Sequence, residues 1–287
     1  MPRIQVIKAG YYDSLQDLGR FGMACYGVPV SGVMDVISAK MANALVENTP
    51  DCSVLEMTLT GPILLFQKET TIAITGADMS PKLNDIPVQI QTKIKIGTGD
   101  ILSFGHVNYG CRGYLAVKNG FKSERVLNSL SFYKGLTKQY KLEKGIELFL
   151  AKQTDQSQAN NSHIKVDTHF FSTPTLNAFK GPEFDILSAK QKEFLLTNTF
   201  QVTLNSRMGY QFKTTSALAH RYDMLTSSVM PGTVQLTQSG KLIALMKDCQ
   251  TTGGYPRILQ LTDKSQAILA QKNTFQKVNF KLKEIHL

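Results

Sequence analysis

Cysteine and histidine are scarce in this chain, and the few present lie far apart. Cys25, Cys52, Cys111 and Cys249 form no Cys-x-x-Cys pair, and the histidines at 106, 163, 169, 220 and 286 form no His-Glu-x-x-His or other short ligand spacing. No zinc site or redox pair is written locally, so reduced thiols are expected and no metal is assigned. Long apolar runs are also missing. None approaches the ~20 residues that a spanning helix needs, and residues 1–6 begin no signal peptide, so a soluble, cytoplasmic chain without a membrane partner is expected. Neither a Gly-x-x-x-x-Gly-Lys-Ser/Thr loop nor a Gly-x-Gly-x-x-Gly fingerprint occurs, so no nucleotide site is read from a motif.

Acidic residues are outnumbered, 22 against 32 basic ones, which leaves a formal charge of +10. The lysines at 134, 138, 141 and 144 are spread along strands and turns without the aromatic partners of a single-strand binder. A solvated basic surface is read from them, suited to an acidic partner and not to nucleic acid. With 42% hydrophobic residues in 287, the composition excludes a disordered protein and predicts two compact domains.

The pattern is mainly β, with few short helices. Residues 71–75 and 93–96 alternate at period two, and Gly97-Thr98-Gly99-Asp100 then predicts a hairpin into residues 101–104. Further strands are expected at 114–117, 146–150 and 277–283. A helix is expected over 35–46, with Asp35 at its start and Ile37, Met41, Ala44 and Leu45 on one face. Ser188 with Gln191, and Asp263 with Gln266, read as capping-box starts of two more. The polar stretch from Gln153 places a linker at 153–173 between domains at 1–152 and 174–287.

Several clusters concentrate polar chemistry. The first holds Asp17, Arg20, Ser31 and Asp35 among glycines, and reads either as a recognition loop or as a turn salt bridge followed by a helix cap. Glu56 sits inside an apolar strand, where it must face water or find a partner. Asp78 ends an alternating strand, either towards a cleft or in an ordinary turn. Arg112 and Tyr114 stand at the entrance of a strand, where an arginine can clamp a carboxylate or phosphate or pack on the tyrosine. Arg207 lies in Ser206-Arg207-Met208-Gly209-Tyr210. The densest cluster runs Lys247, Asp248, Cys249, Gln250, Thr251, Thr252, Gly253, Gly254, Tyr255; it is too polar for a core strand and too long for a hairpin turn, and reads as a ligand site. Cys249 is not read as a nucleophile, because no base accompanies it.

In their order along the chain these segments resemble the biotin-dependent carboxyltransferase-like family. They are Gln16-Asp17-Leu18-Gly19-Arg20, Gly27-Val28-Pro29-x-Ser31-Gly32-x-Met34-Asp35, Ala42-Asn43, Leu55-Glu56, Thr75-Gly76-Ala77-Asp78, Arg112 to Val117, Ser206 to Tyr210 and Gln250 to Pro256. The family includes the C-type component of 5-oxoprolinase, allophanate hydrolase subunit 2, the Kip antagonist protein and the carboxyltransferase region of urea carboxylase. The resemblance implies two cyclophilin-like β-barrel domains with a groove between them, where the 17–35 and 247–256 loops are expected to meet. It also implies a B-type companion subunit and an A-type lactam-utilisation subunit, with ATP consumed by the complex as 5-oxo-L-proline is opened to L-glutamate. Biotin would enter only under the alternative of carboxyl transfer to urea or a related amide; a non-enzymatic antagonist of a kinase inhibitor is the third option. Within this resemblance Asp35, Asp78, Lys247 and Asp248 are candidate catalytic groups. Asp17, Arg20, Ser31, Glu56, Arg112, Tyr114, Arg207, Gln250, Thr251, Thr252, Gly253, Gly254 and Tyr255 are candidate substrate contacts. The chain departs from the family pattern at Ser206 and in the polar loop 127–131, which lacks an arginine.

Overall fold

The computed structural model describes residues 3–151 and 169–284. The expected linker lies, up to residue 168, outside the described residues. The chain divides into two compact units, Met1–Arg20 with Ser31–Thr168 and Phe21–Val30 with His169–Leu287.

The first unit is built from two sheets. One runs, edge to edge, β11 (Phe121–Lys122), β12 (Glu147–Leu150), β1 (Arg3–Lys8), β4 (Ile63–Phe66), β9 (Ile101–Ser103), β6 (Lys82–Leu83) and β7 (Ile86–Pro87). The other runs β2 (Tyr12–Gln16), β3 (Val54–Thr58), β10 (Tyr109–Val117), β5 (Thr70–Asp78) and β8 (Lys93–Ile96). Alternate residues of both, among them Ile4, Val6, Leu64, Phe66, Ile72 and Ile74, share one buried cluster, as period-two strands facing a common core must. The expected hairpin around Gly97 is corrected here. Strands β8 and β9 go to different sheets, so Gly97–Asp100 turns a corner of the sandwich, and Asp100 closes it by accepting from the Gly97 amide at 2.6 Å.

The five-stranded sheet is covered on its second face by α1 (Val36–Leu45). Ser38, Ala39, Ala42, Asn43 and Leu45 are the buried residues of this helix, whereas Ile37 is 40% exposed. Of the expected face, Leu45 is buried and Met41 packs against the same cluster, whereas Ile37 and Ala44 are exposed, which corrects the expectation for those two. Small residues, with Ala73 and Ala116 opposite on the sheet, allow the helix to approach closely.

The second unit closes into a barrel in the order β13 (Thr175–Lys180), β20 (Arg257–Leu261), β17 (Thr233–Leu236), β18 (Leu242–Leu245), β15 (Gly209–Lys213), β14 (Phe200–Asn205), β21 (Lys277–Leu282). Strands β13 and β21 close it in parallel register; a two-stranded ribbon pairs β16 (Ser227–Ser228) with β19 (Thr252–Gly253). Its helices are α2 (His169–Ser172), α3 (Ala189–Thr197) and α4 (Asp263–Ala270). The capping box of Ser188 and Gln191 forms as the sequence predicts, while α4 is capped one residue earlier, by Thr262.

Candidate functional site

The helix-covered face of the five-stranded sheet carries a buried polar row. Across β2, β3, β10 and β5, Ser14 pairs with Glu56, Glu56 with Tyr114 and Tyr114 with Thr75, all at 1% exposure or less. Desolvation, with Glu56 and Asp35 nearby, holds the Tyr114 phenol well above its ordinary pKa, so it stays neutral. Arg112 is also buried, with Nε 3.9 Å from Glu56 Oε1.

The chain segment entering α1 docks on this row through four consecutive amides. Gly32 donates to Gln16 Oε1 (3.1 Å), Val33 to the Asp17 carbonyl (2.9 Å), Met34 to Glu56 Oε2 (2.7 Å) and Asp35 to the Tyr114 hydroxyl (2.8 Å). Asp35 then caps the helix, its carboxylate accepting from the Ile37 and Ser38 amides and the Ser38 hydroxyl, while Thr75 donates to the Ser38 carbonyl. Gly32 is required here, since φ is +85° and a Cβ would lie 2.7 Å from the Leu18 carbonyl carbon. Ser31, also left-handed at +55°, is fully buried, and its Oγ has no hydrogen-bond partner among the described residues.

A second clamp precedes residues 21–30. The Asp17 carboxylate accepts from the Gly19 and Leu130 amides and the Ser129 and Ser131 hydroxyls at 2.6–2.8 Å. Arg20, 1% exposed, donates to the Ser131 carbonyl, so both charged residues converge on one serine. Thus Asp17, Arg20, Ser31, Asp35, Glu56, Arg112 and Tyr114 form the buried framework on either side of an exposed segment that carries Phe21 and Tyr26. Asp78 stands apart, at the end of β5, where it accepts from the Ser80 amide and the Asn108 side chain.

In the second unit Arg207 and Asp248 form a two-point ion pair, Nε–Oδ2 2.8 Å and Nη2–Oδ1 3.1 Å, reinforced by the Asp248 amide donating to the Arg207 carbonyl. Gln250 donates to Gln235, and Gln235, buried in β17, donates to the Tyr255 carbonyl. The Thr251 carbonyl accepts from the Val229 amide, and Thr252 with Gly253 forms β19. Lys247 is half-buried, and Gln250, Thr252, Gly254 and Tyr255 are exposed. Burial pushes the Cys249 thiol up to about 12, and Asp248 adds to the shift, so it is a thiol at neutral pH.

Three groups of supporting residues escaped the sequence reading. Ser129 and Ser131 lie more than a hundred residues from the carboxylate they hold, with only the polar Asn128-Ser129-Leu130-Ser131 pattern as a signal. Gln235 ends the Met230-Pro231-Gly232-Thr233-Val234-Gln235 stretch that precedes the 247–255 cluster, and its bonds to that loop leave no mark in the sequence. Glu183 grips Arg257 at two points (2.7 and 2.9 Å), and this holds its carboxyl below the usual range; a glutamate after Gly181-Pro182 gave no hint of it. Among the described residues no group of three or more His, Cys, Asp or Glu is placed to hold a metal ion, and no helix is long and apolar enough to cross a membrane.

By comparison with known families, the mainly β units, one of them a closed barrel, are those of a carboxyltransferase-type chain. It belongs to the family described as carboxyltransferase domain, subdomain A and B, which matches residues 26–282. It is 33% identical over 273 residues to the C-type component of 5-oxoprolinase from Haemophilus influenzae, covering 93% of this chain and 87% of that one. To the corresponding 5-oxoprolinase component of Escherichia coli it is 29% identical, over 96% and 90% of the two chains. Urea amidolyase of Lachancea kluyveri is 40% identical over 130 residues, 45% of this chain and 7% of that protein. Among solved structures, TTHA0988 superposes with a TM-score of 0.86 at 24% identity over 98% of this chain; the chain spans about half of that protein's length, 55%.

Proposed function

We propose that the chain is the C-type component of an ATP-dependent 5-oxoprolinase, working with a B-type companion and an A-type lactam-utilisation subunit in the cytoplasm. The observation that carries this reading is its similarity along nearly the whole chain to two proteins named as that 5-oxoprolinase component. A lactam carbonyl is a weak electrophile with a poor leaving amine. Phosphoryl transfer from ATP to its oxygen, with release of ADP, activates the carbon for water; the ring C–N bond then breaks, the nitrogen leaving as the amine, and a second water hydrolyses the resulting acyl phosphate to L-glutamate and inorganic phosphate.

The buried groups Asp17, Arg20, Asp35, Glu56 and Tyr114 act as positioning residues, because their hydrogen bonds hold backbone, and Arg112 lies buried beside Glu56. The 247–255 loop offers the chemistry. There Lys247 stabilises developing negative charge, Asp248 is aimed by Arg207, and Gln250, Thr252 and Tyr255 supply contacts to a small polar substrate. In the first unit the half-buried Asp78, at its strand end, is a separate candidate carboxylate.

A second reading, carboxyl transfer, rests on the family match and on the urea amidolyase similarity. The exposed Gln250 amide and Thr252 hydroxyl are donors and acceptors of the kind a planar ureido group needs, and carboxybiotin would come from another polypeptide. An omission test separates the two. The purified chain alone releases no glutamate; with both companions and ATP it does, and leaving this chain out abolishes it. Turnover by the single chain, or undiminished turnover without it, overturns the proposal.

A further inference from the structure

The first unit holds a cavity of about 490 Å3 that plays no part in the reading above. Its apolar wall is Leu15, Phe132 and Leu148, each no more than 4% exposed, with Phe149 at 39% beside them. This wall is preformed. Leu15 lies in β2 two residues before Asp17, Phe132 follows the clamping Ser131, and the Phe132 amide donates to the Leu15 carbonyl at 2.8 Å.

Charge at the cavity is positive on balance: Glu147 is paired with Arg3 at 2.9 Å, and Lys122 and Lys138 stand against the one further carboxylate, Glu124, which accepts the Lys138 backbone amide. The ammonium groups of Lys122 and Lys138 have no partner among the described residues, and both side chains are exposed. The surrounding stretch 122–144 carries Lys122, Arg125, Lys134, Lys138, Lys141 and Lys144 against only Glu124 and Glu143. A concave apolar wall under a positive rim selects a ligand with an apolar body and an anionic head.

We propose that this cavity binds a small amphipathic organic anion, a carboxylate carrying a medium-length alkyl or aryl body, separately from the 247–255 loop. The volume lies within the range typical of small-molecule sites, roughly 300–1,000 Å3. Octanoate, and its neutral isostere octanamide, are titrated calorimetrically into the full chain. Octanoate is expected to saturate one site per chain, with octanamide about tenfold weaker or worse. Lys122→Gln combined with Lys138→Gln is expected to weaken octanoate by about tenfold and leave octanamide unchanged, whereas Phe149→Ser weakens both. Absence of saturable octanoate binding up to roughly 10 mM, or equal octanoate affinity in the folded double-lysine variant, overturns the proposal.

Discussion

The Met34 amide donates to Glu56 Oε2 at 2.7 Å, and the other oxygen of that carboxylate lies 3.9 Å from Arg112 Nε. One buried charge thus serves both the entering segment and a buried cation. Glu56→Ala strips the amide of its acceptor and removes the carboxylate beside buried Arg112, so urea denaturation is expected to show a loss of about 3 kcal/mol or more. Glu56→Gln, which keeps an acceptor, is expected to cost less. Equal, small losses in both variants would contradict the shared role.

Tyr114→Phe removes the acceptor of the Asp35 amide while keeping the ring. The expected cost is about 1–3 kcal/mol, that of an unsatisfied buried donor. Amide hydrogen exchange at residues 35–38 should quicken more than elsewhere in the sheet. Uniform exchange across the sheet would mean that the hydroxyl does not anchor the helix start.

Asp13 is 1% exposed, and burial raises its carboxyl to about 7 even though the Gly10 amide donates to it. Its folded pKa therefore lies above the unfolded value, so the native state holds a proton that the unfolded chain has released between pH ~4 and ~7. Stability from this group is complete below the unfolded pKa and is lost as pH rises through about 7. Asp13→Asn should match the parent protein near pH 4 and exceed it near pH 8, by up to about 4 kcal/mol. A difference that does not change with pH would contradict this.

The fold was legible where strands alternate cleanly, as in β5, β8 and β21, and where a cap is local, as with Asp35 and Ser188. The site framework was legible as residue types but not as roles. Glu56 inside an apolar strand reads as a group that must face water or find a partner, and only the helix covering that face decides for the partner. Its partner Met34 offers a backbone amide, which leaves no mark in sequence. The Asp17 clamp was hidden for a related reason, because its donors come from 129–131. The buried face of α1 was read only in part, because Ser38, Ala39, Ala42 and Asn43 meet the sheet beside Leu45 and Met41, while Ile37 and Ala44 turn outward.

Asp248 is the carboxylate of the 247–255 loop that a guanidinium orients. Asp248→Asn is expected to lower turnover of the assembled complex by about tenfold, about 1.4 kcal/mol of transition-state stabilisation, while the circular dichroism spectrum stays unchanged. Unchanged turnover would assign the Arg207–Asp248 pair to loop stability alone.

Product identity tests the central claim most directly. The chain is assembled with its two companions and supplied in parallel with 5-oxo-L-proline plus ATP, and with urea plus carboxybiotin. Release of L-glutamate and ADP in equal amounts in the first mixture, and no carboxyl transfer in the second, is the predicted result. Carboxylated urea in the second mixture, with no glutamate in the first, would contradict the account.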